Sequence, residues 1–449
     1  MKTTKKLILF IICLTIASMI VILSCKNRYT GTGPGDKGVF ETGQSEDNSG
    51  SGNNGDNMGS GLPAGYLTQE EQYKPMDPDS KKVVLFTGDN YRIPALTVTA
   101  NKMILAAVGT GTGQNYIAIK RSSDMGQTWT EVQAKYEGFS GMYTHPFFIN
   151  SHDGSILLGI ATTNTAKNEA VIYRSVNDGI SWTKYGTNLS MSNLIPITNN
   201  KNNQIVVLTP DNSFVTYGNG VTLRHGTNKN ILIFPFYYQQ KANSKGHCTA
   251  TMISRNNGET WEQFGVDFGD FTSYETKFIE LSDGSILINI RTTGTGQTYW
   301  AKSTDCGETW KTTTLLTTET SGNSGGKHAD FTRYEFNGRD IKVGGEKYAL
   351  SVIKKRLDGY NVRMTFNDFN DGKGGFNSKY LHNKDFATNS AKQDGYPAIT
   401  VLPDGTIATL TEETEGIVFR RFNLSWLSSS DGIEDGEDFV DYEVDNITK

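Results

Sequence analysis

Cysteine is nearly missing from this chain, with four in 449 residues, and only Cys248 and Cys306 fall in its body. The two could pair, but nothing in their spacing requires a disulfide. The six histidines are scattered and His247-Cys248 stands alone, so no group has metal-ligand spacing, and neither a metal nor a cofactor is expected. Proline is scarce, 11 residues against 48 glycines, which suits many short strands joined by turns, and no stretch reads as a clear helix. Net charge is absent from the body as well. The formal −5 lies almost wholly at the two ends, with three lysines at the start and eight acidic residues against one lysine from Asp431 to Lys449. A near-neutral body gives no reason to expect nucleic acid, and an anionic ligand would have to be held by a local arginine cluster.

The ends read as something other than fold. Lys2, Lys5 and Lys6 precede an apolar run from Leu7 to Leu23, the layout of a secretory signal. Ile22-Leu23-Ser24-Cys25 resembles a bacterial lipobox, whose cysteine is lipidated and becomes the mature N-terminus. A retained anchor helix is the competing reading, since the run is at the lower edge of a membrane span. Residues 1–25 are therefore expected to be a signal peptide with lipobox, giving a cell-surface or outer-membrane lipoprotein anchored through Cys25. Residues 26–75, rich in Gly, Ser, Asn and Asp, bury too little apolar surface to order and are expected to form a tether. Residues 431–449 are expected to be a solvated acidic tail.

What the body has in abundance is repetition. An eight-residue pattern, S-x-D/N-x-G-x-S/T-W, occurs at Ser122–Trp129, Ser175–Trp182, Ser254–Trp261 and Ser303–Trp310. Asp or Asn at the third position can bond nearby backbone N–H groups, Gly at the fifth accepts φ > 0, and the Trp lays an apolar ring beside the next strand. These are structural turns. A second repeat, Asp-Gly ahead of β-branched residues, reads Asp153-Gly-Ser-Ile-Leu, Asp283-Gly-Ser-Ile-Leu and Asp404-Gly-Thr-Ile-Ala, and signals hairpins. The box follows the hairpin by about twenty residues, which is room for one more hairpin. Four short strands every 50 to 60 residues describe an all-β, six-bladed β-propeller over residues 80–430, with a sandwich as the runner-up. A propeller gathers residues from distant parts of the sequence at one mouth of its channel.

These boxes, Tyr91-Arg-Ile-Pro94 ahead of the first of them, and Gly395-Tyr-Pro-Ala-Ile-Thr-Val-Leu-Pro-Asp-Gly-Thr-Ile407 together resemble a bacterial exo-α-sialidase. The resemblance implies a monomeric propeller that removes terminal sialic acid from sialylated glycans with retention. Residue by residue, it implies that Arg92, Arg291 and Arg356 bind the substrate carboxylate, with Arg363 and Arg333 as alternatives for the third. It also implies that Tyr396 is the nucleophile, Glu275 its carboxylate partner, and Glu412 the acid that steadies Arg92. The chemistry of the residue types agrees. Sialic acid bears a carboxylate on the carbon that is attacked, and guanidinium forks bind carboxylates while staying charged. An Asp or Glu nucleophile would approach against like charge, at about 4 kcal/mol for 4 Å and an effective dielectric of 20, which a neutral phenol avoids. The phenol must still lose its proton as it attacks, and Glu275 is the expected base.

One part of the pattern is missing. The resemblance implies an acid/base aspartate between the Arg-Ile-Pro segment and the first box, where Ala107 to Tyr116 holds no acidic residue. Asp89 and Asp330 are the candidate substitutes. Otherwise water serves, or the protein is a surface lectin that binds sialylated glycans without efficient turnover.

Overall fold

The computed structural model describes residues 62–429, apart from 111–115, 133–144, 162–168, 187–188, 191–196, 199–204, 207–209, 241–246, 266–272, 293–297, 314–327, 344, 356–358 and 367–380. The expected signal, lipobox and acidic tail lie outside the described residues.

Six sheets, antiparallel except where Gly218–Asn219 pairs in parallel with Phe147 and Phe148, follow one another around a ring, as the spacing of the repeats requires. Five have inner strands at Tyr91–Val98, His145–Asn150, Lys277–Glu280, Ala329–Arg333 and Pro397–Val401; in the sixth, Pro210–Val215 is the first strand. The ring is closed by the earliest strand, Val83–Thr87, which completes the last blade by pairing with Gly416–Phe422. Hydrophobic residues fill the layers between blades. Six buried clusters each join two neighbouring sheets: Leu105 meets Phe148, Phe147 meets Phe234, Ile233 meets Ile288, Leu287 meets Ala349, Val362 meets Ile399, and Leu410 meets Leu96. Burying both faces of every sheet in this way is the main stabilisation, at about 25 cal/mol per Å² of apolar surface.

The boxes form the turns their residues dictate. In the first, Ser122 Oγ accepts the Gly126 N–H at 2.9 Å, Asp124 accepts the Thr128 N–H at 2.9 Å, and Trp129 Nε1 donates to the Gly126 carbonyl at 2.9 Å. The fourth position also takes φ near +60°, at Met125, Asp178, Asn257 and Cys306, so each turn carries two successive left-handed residues. The glycine that follows abuts the preceding blade: a Cβ on Gly179 would lie 2.9 Å from Leu105, one on Gly258 2.5 Å from Leu157, and one on Gly126 would overlap the Phe419 ring. Gly154 has positive φ but open space around it. Gly154→Ala should therefore cost about 1 kcal/mol of backbone strain, and Gly126→Ala about 3 kcal/mol because ring displacement is added. Equal midpoints for both variants in thermal denaturation would refute the packing role of the box.

Two expectations are corrected. Residues 62–75 are not tether. Leu67 N–H and the Gln72 amide bond Asp404, the Arg421 guanidinium bonds the Gly65 carbonyl, and the Asn423 amide bonds the carbonyls of Gln72 and Lys74. This anchoring holds even though the segment's own composition is polar. The chain also has helix, in two short pieces at its described ends: α1, Gln69–Gln72, closed by a Thr68/Glu71 capping box, and α2, Leu424–Ser428, capped by Asn423. Each is too short to show helical periodicity in the sequence. No disulfide joins Cys248 and Cys306.

Candidate active site

The inner strands run in the same direction around the channel, and their N-terminal ends bring chemistry together. Arg92 is the second residue of its strand, Glu275 lies two residues before the next relevant one, and Tyr396 lies one residue before another. The three meet although 304 positions separate Arg92 from Tyr396 in the sequence.

Tyr396 donates its hydroxyl proton to Glu275 Oε1 at 2.6 Å, and Arg291 Nη1 bonds the other carboxylate oxygen. The Arg92 guanidinium carbon lies 5.4 Å from the centre of the Tyr396 ring. Glu412, fully buried, holds Arg92 through Nε and Nη2 at 3.3 and 3.2 Å and accepts the Ile93 N–H at 2.5 Å. These last contacts explain the Arg-Ile-Pro segment physically. Ile93 has φ +61°, a left-handed conformation that a β-branched residue seldom adopts, and the pairing register slips between Arg92 and Pro94. The resulting bulge turns Arg92 toward Tyr396, and Glu412 anchors it from beneath.

Burial pushes the Tyr396 phenol well above its ordinary pKa, and the Glu275 charge adds to the effect. For Glu275 burial works in the same direction, but Arg291, His328 and His145 together outweigh it and hold the carboxyl well below the usual range. The resting pair is thus a neutral phenol bonded to a carboxylate. Burial raises Glu412, opposed by Arg92.

Not every candidate joins the group. Arg356 lies outside the described residues; the strand leading to it ends at Lys354, whose N–H bonds the His328 carbonyl at 2.9 Å. Arg333 is excluded. It closes its inner strand at the far end of the channel, where it bonds Glu335, Asp340 and the Glu280 carbonyl. Arg363 sits within Tyr360–Phe366, the third strand of its blade counted from the channel, and bonds Asn361 of its own strand. Asp330 is also excluded as a proton donor to substrate: it is 1% exposed, ion-paired with Lys277 and bonded to the Ile399 N–H. Asp89 is highly exposed and paired with Lys392.

The structure adds residues that the sequence did not announce. His328 packs its ring 3.7 Å from that of Tyr396, and its Nδ1 lies 3.4 Å from Glu275 Oε2. His145 Nε2 lies 3.8 Å from Glu275 Oε1. Tyr217 meets Tyr396 edge to face at 4.6 Å, and Lys277 Nζ bonds the Tyr217 carbonyl while sitting 3.5 Å over its ring. The only legible signal was position: His328 stands one residue before its inner strand as Tyr396 does before its own, and His145 is the first residue of another inner strand. Tyr217 has no such mark.

A cavity of about 150 Å³ opens at the other ends of the inner strands, lined in part by Thr97, Asn219, Lys277, Glu280, Asp330 and Arg333. It does not reach Tyr396. Near it, His225, Glu335 and Asp340 could present ligand atoms to a cation, but Arg333 already bonds both carboxylates and Lys347 pairs with Asp340.

A six-bladed ring whose inner strands bring Arg92, Glu275 and Tyr396 to one mouth, joined there by Arg291 at the end of the second strand of its blade, Ile286–Arg291, defines a β-propeller with a preformed polar site. The chain belongs to the family described as BNR repeat-like domain, which matches residues 93–353. It is 29% identical over 366 residues to a sialidase from Micromonospora viridifaciens, covering 75% of this chain and 52% of that protein. The chain thus spans about half the length of this curated relative. Among solved structures, it superposes on a leech intramolecular trans-sialidase complexed with 2,7-anhydro-Neu5Ac at a TM-score of 0.56, with 14% identity, covering 77% of this chain and 71% of that one. It also superposes on Trypanosoma rangeli sialidase in complex with sialic acid at a TM-score of 0.51, with 18% identity, covering 78% and 58%. At these identities the superpositions speak for the fold.

Proposed function

We propose that this protein is an exo-α-sialidase that removes terminal sialic acid from glycoconjugates with retention of configuration. The observation that carries the reading is the bonded Tyr396–Glu275 pair between Arg92 and Arg291. Arg92 and Arg291 hold the sugar's carboxylate, which fixes the anomeric carbon against the phenol. Tyr396 Oη bonds that carbon as the bond to the departing oxygen breaks, and the phenol proton passes to Glu275. The emerging positive charge and the two guanidinium groups lower the cost of forming a phenolate in a site that otherwise disfavours it. Water then attacks the anomeric carbon, releasing its proton to solvent, as the bond to Tyr396 Oη breaks and Glu275 returns its proton to the departing phenolate.

The departing oxygen still needs a proton. Among the described residues near Tyr396, Glu275 and Glu412 are committed to arginines and Asp330 to Lys277. An aryl α-sialoside, whose leaving group departs unprotonated, should therefore be hydrolysed faster than sialyllactose, by a factor on the order of 10²–10⁴. Equal rates would mean that an acid outside the described residues does this work. Binding of both compounds with turnover of neither would favour the second reading, a sialic-acid lectin, whose support is the acid-free stretch from Ala107 to Tyr116.

A further inference from the structure

The Tyr396–Glu275 pair is bridged by a third side chain. His328, 6% exposed, touches both members: its ring lies on the phenol, and Nδ1 faces Glu275 Oε2 at 3.4 Å and Arg291 Nη1 at 3.2 Å. A carboxylate that accepts one phenol proton can still rotate about its last torsions, so its direction is set by what holds the second oxygen. Arg291 supplies charge there. His328 supplies a flat wall and a nitrogen that can bridge Arg291 and Glu275 without adding charge.

We propose that His328 is the positioning residue of this pair, holding phenol and carboxylate in line while neutral and weakening the pair when protonated. The inference rests on the sialidase reading above. In the neutral ring, Nδ1 either donates to Glu275 or accepts from Arg291, and both arrangements leave the carboxylate free to take the Tyr396 proton. An imidazolium would place a second cation beside Arg291 against Glu275 Oε2 and make that carboxylate a poorer base. The groups facing His328 are Glu275 and Arg291 from one blade and Tyr396 from another, with Tyr217 6.5 Å away and the Arg92 charge beyond. Burial and Arg291 pull its pKa down to about 4 against the opposing pull of Glu275. It is therefore neutral above that pH and gains a proton as pH falls through it.

The test is kcat for an aryl α-sialoside between pH 3 and 8, using the full chain as wild type and His328→Gln. Wild type should lose turnover on an acid limb near pH 4. In H328Q the limb should vanish, with kcat at pH 6 lower by roughly 10- to 100-fold and KM little changed. A limb that stays in place in H328Q, or an unchanged kcat, overturns the proposal. A role in folding alone would move the melting temperature without removing the limb. If H328Q does not fold, the wild-type imidazole can be followed by NMR together with Glu275→Gln. Titration near 4 that moves lower in E275Q supports the coupling, and titration near the ordinary histidine value overturns it. Coupled titration without any sialoside turnover would contradict the sialidase reading and leave the histidine's placement standing.

Discussion

Tyr396→Phe is expected to lower kcat for sialosides by a factor on the order of 10³ or more while KM and ligand affinity stay near wild type. The substitution removes one oxygen. The ring stays packed against Ile93, Tyr217 and His328, and the Arg92 guanidinium keeps its place because Glu412 holds it. What disappears is the atom that bonds the anomeric carbon and the proton it gives to Glu275. Carboxylate recognition rests on the arginines, so binding survives. A Phe variant with wild-type kcat would remove Tyr396 from the reaction, and one that loses binding and turnover together would mean that the hydroxyl mainly holds the site's shape.

The second large effect is on stability. Lys277 and Asp330 are 3% and 1% exposed and face each other at 3.5 Å in the channel beneath Tyr217. Each also ties a further segment: Lys277 bonds the carbonyl of Tyr217, in the bend before Gly218–Asn219, and Asp330 accepts the Ile399 N–H within the strand Pro397–Val401. Burial alone pushes the lysine down and the aspartate up, and each partner offsets part of that push. Lys277→Met leaves a buried carboxylate without its cation and should destabilise the fold by roughly 3–5 kcal/mol. Adding Asp330→Asn should recover part of the loss, since the orphaned charge is then gone. Gly218 lies close by, where a Cβ would sit 2.6 Å from Lys277 Nζ, so the backbone has been fitted to this pair. Denaturant unfolding of the three proteins decides the matter. A single variant within about 1 kcal/mol of wild type would show that the ion pair is replaceable by apolar packing.

The ring of blades was legible because its turns need particular residues. Ser, Asp or Asn, Gly and Trp recur at fixed positions, and every one of their expected bonds has a counterpart in the first box. Left-handed Met125 and Cys306 were not legible, since neither residue type advertises that conformation. In the site, Arg92, Tyr396, Glu275, Arg291 and Glu412 could be placed because each sits in a distinctive segment. Arg333 could not be excluded beforehand, because a sequence shows that a residue ends a strand but not which mouth of the channel that end faces. The bonds around His328, His145, Tyr217 and Lys277 cross between blades far apart in the chain, and no local pattern encodes them. The N-terminal clasp was missed for a related reason: its polar residues read as tether until Asp404 and Asn423 supply partners more than 300 positions away.

The central claim, that a phenol held between guanidinium groups attacks the anomeric carbon of sialic acid, is tested most directly by trapping. Incubation with 2,3-difluorosialic acid, whose fluorines slow breakdown of a glycosyl-enzyme, followed by peptide mass mapping, should place one sugar adduct on Tyr396 and none in Tyr396→Phe. An adduct on any other residue, or an intact active protein that never acquires one, would contradict the account.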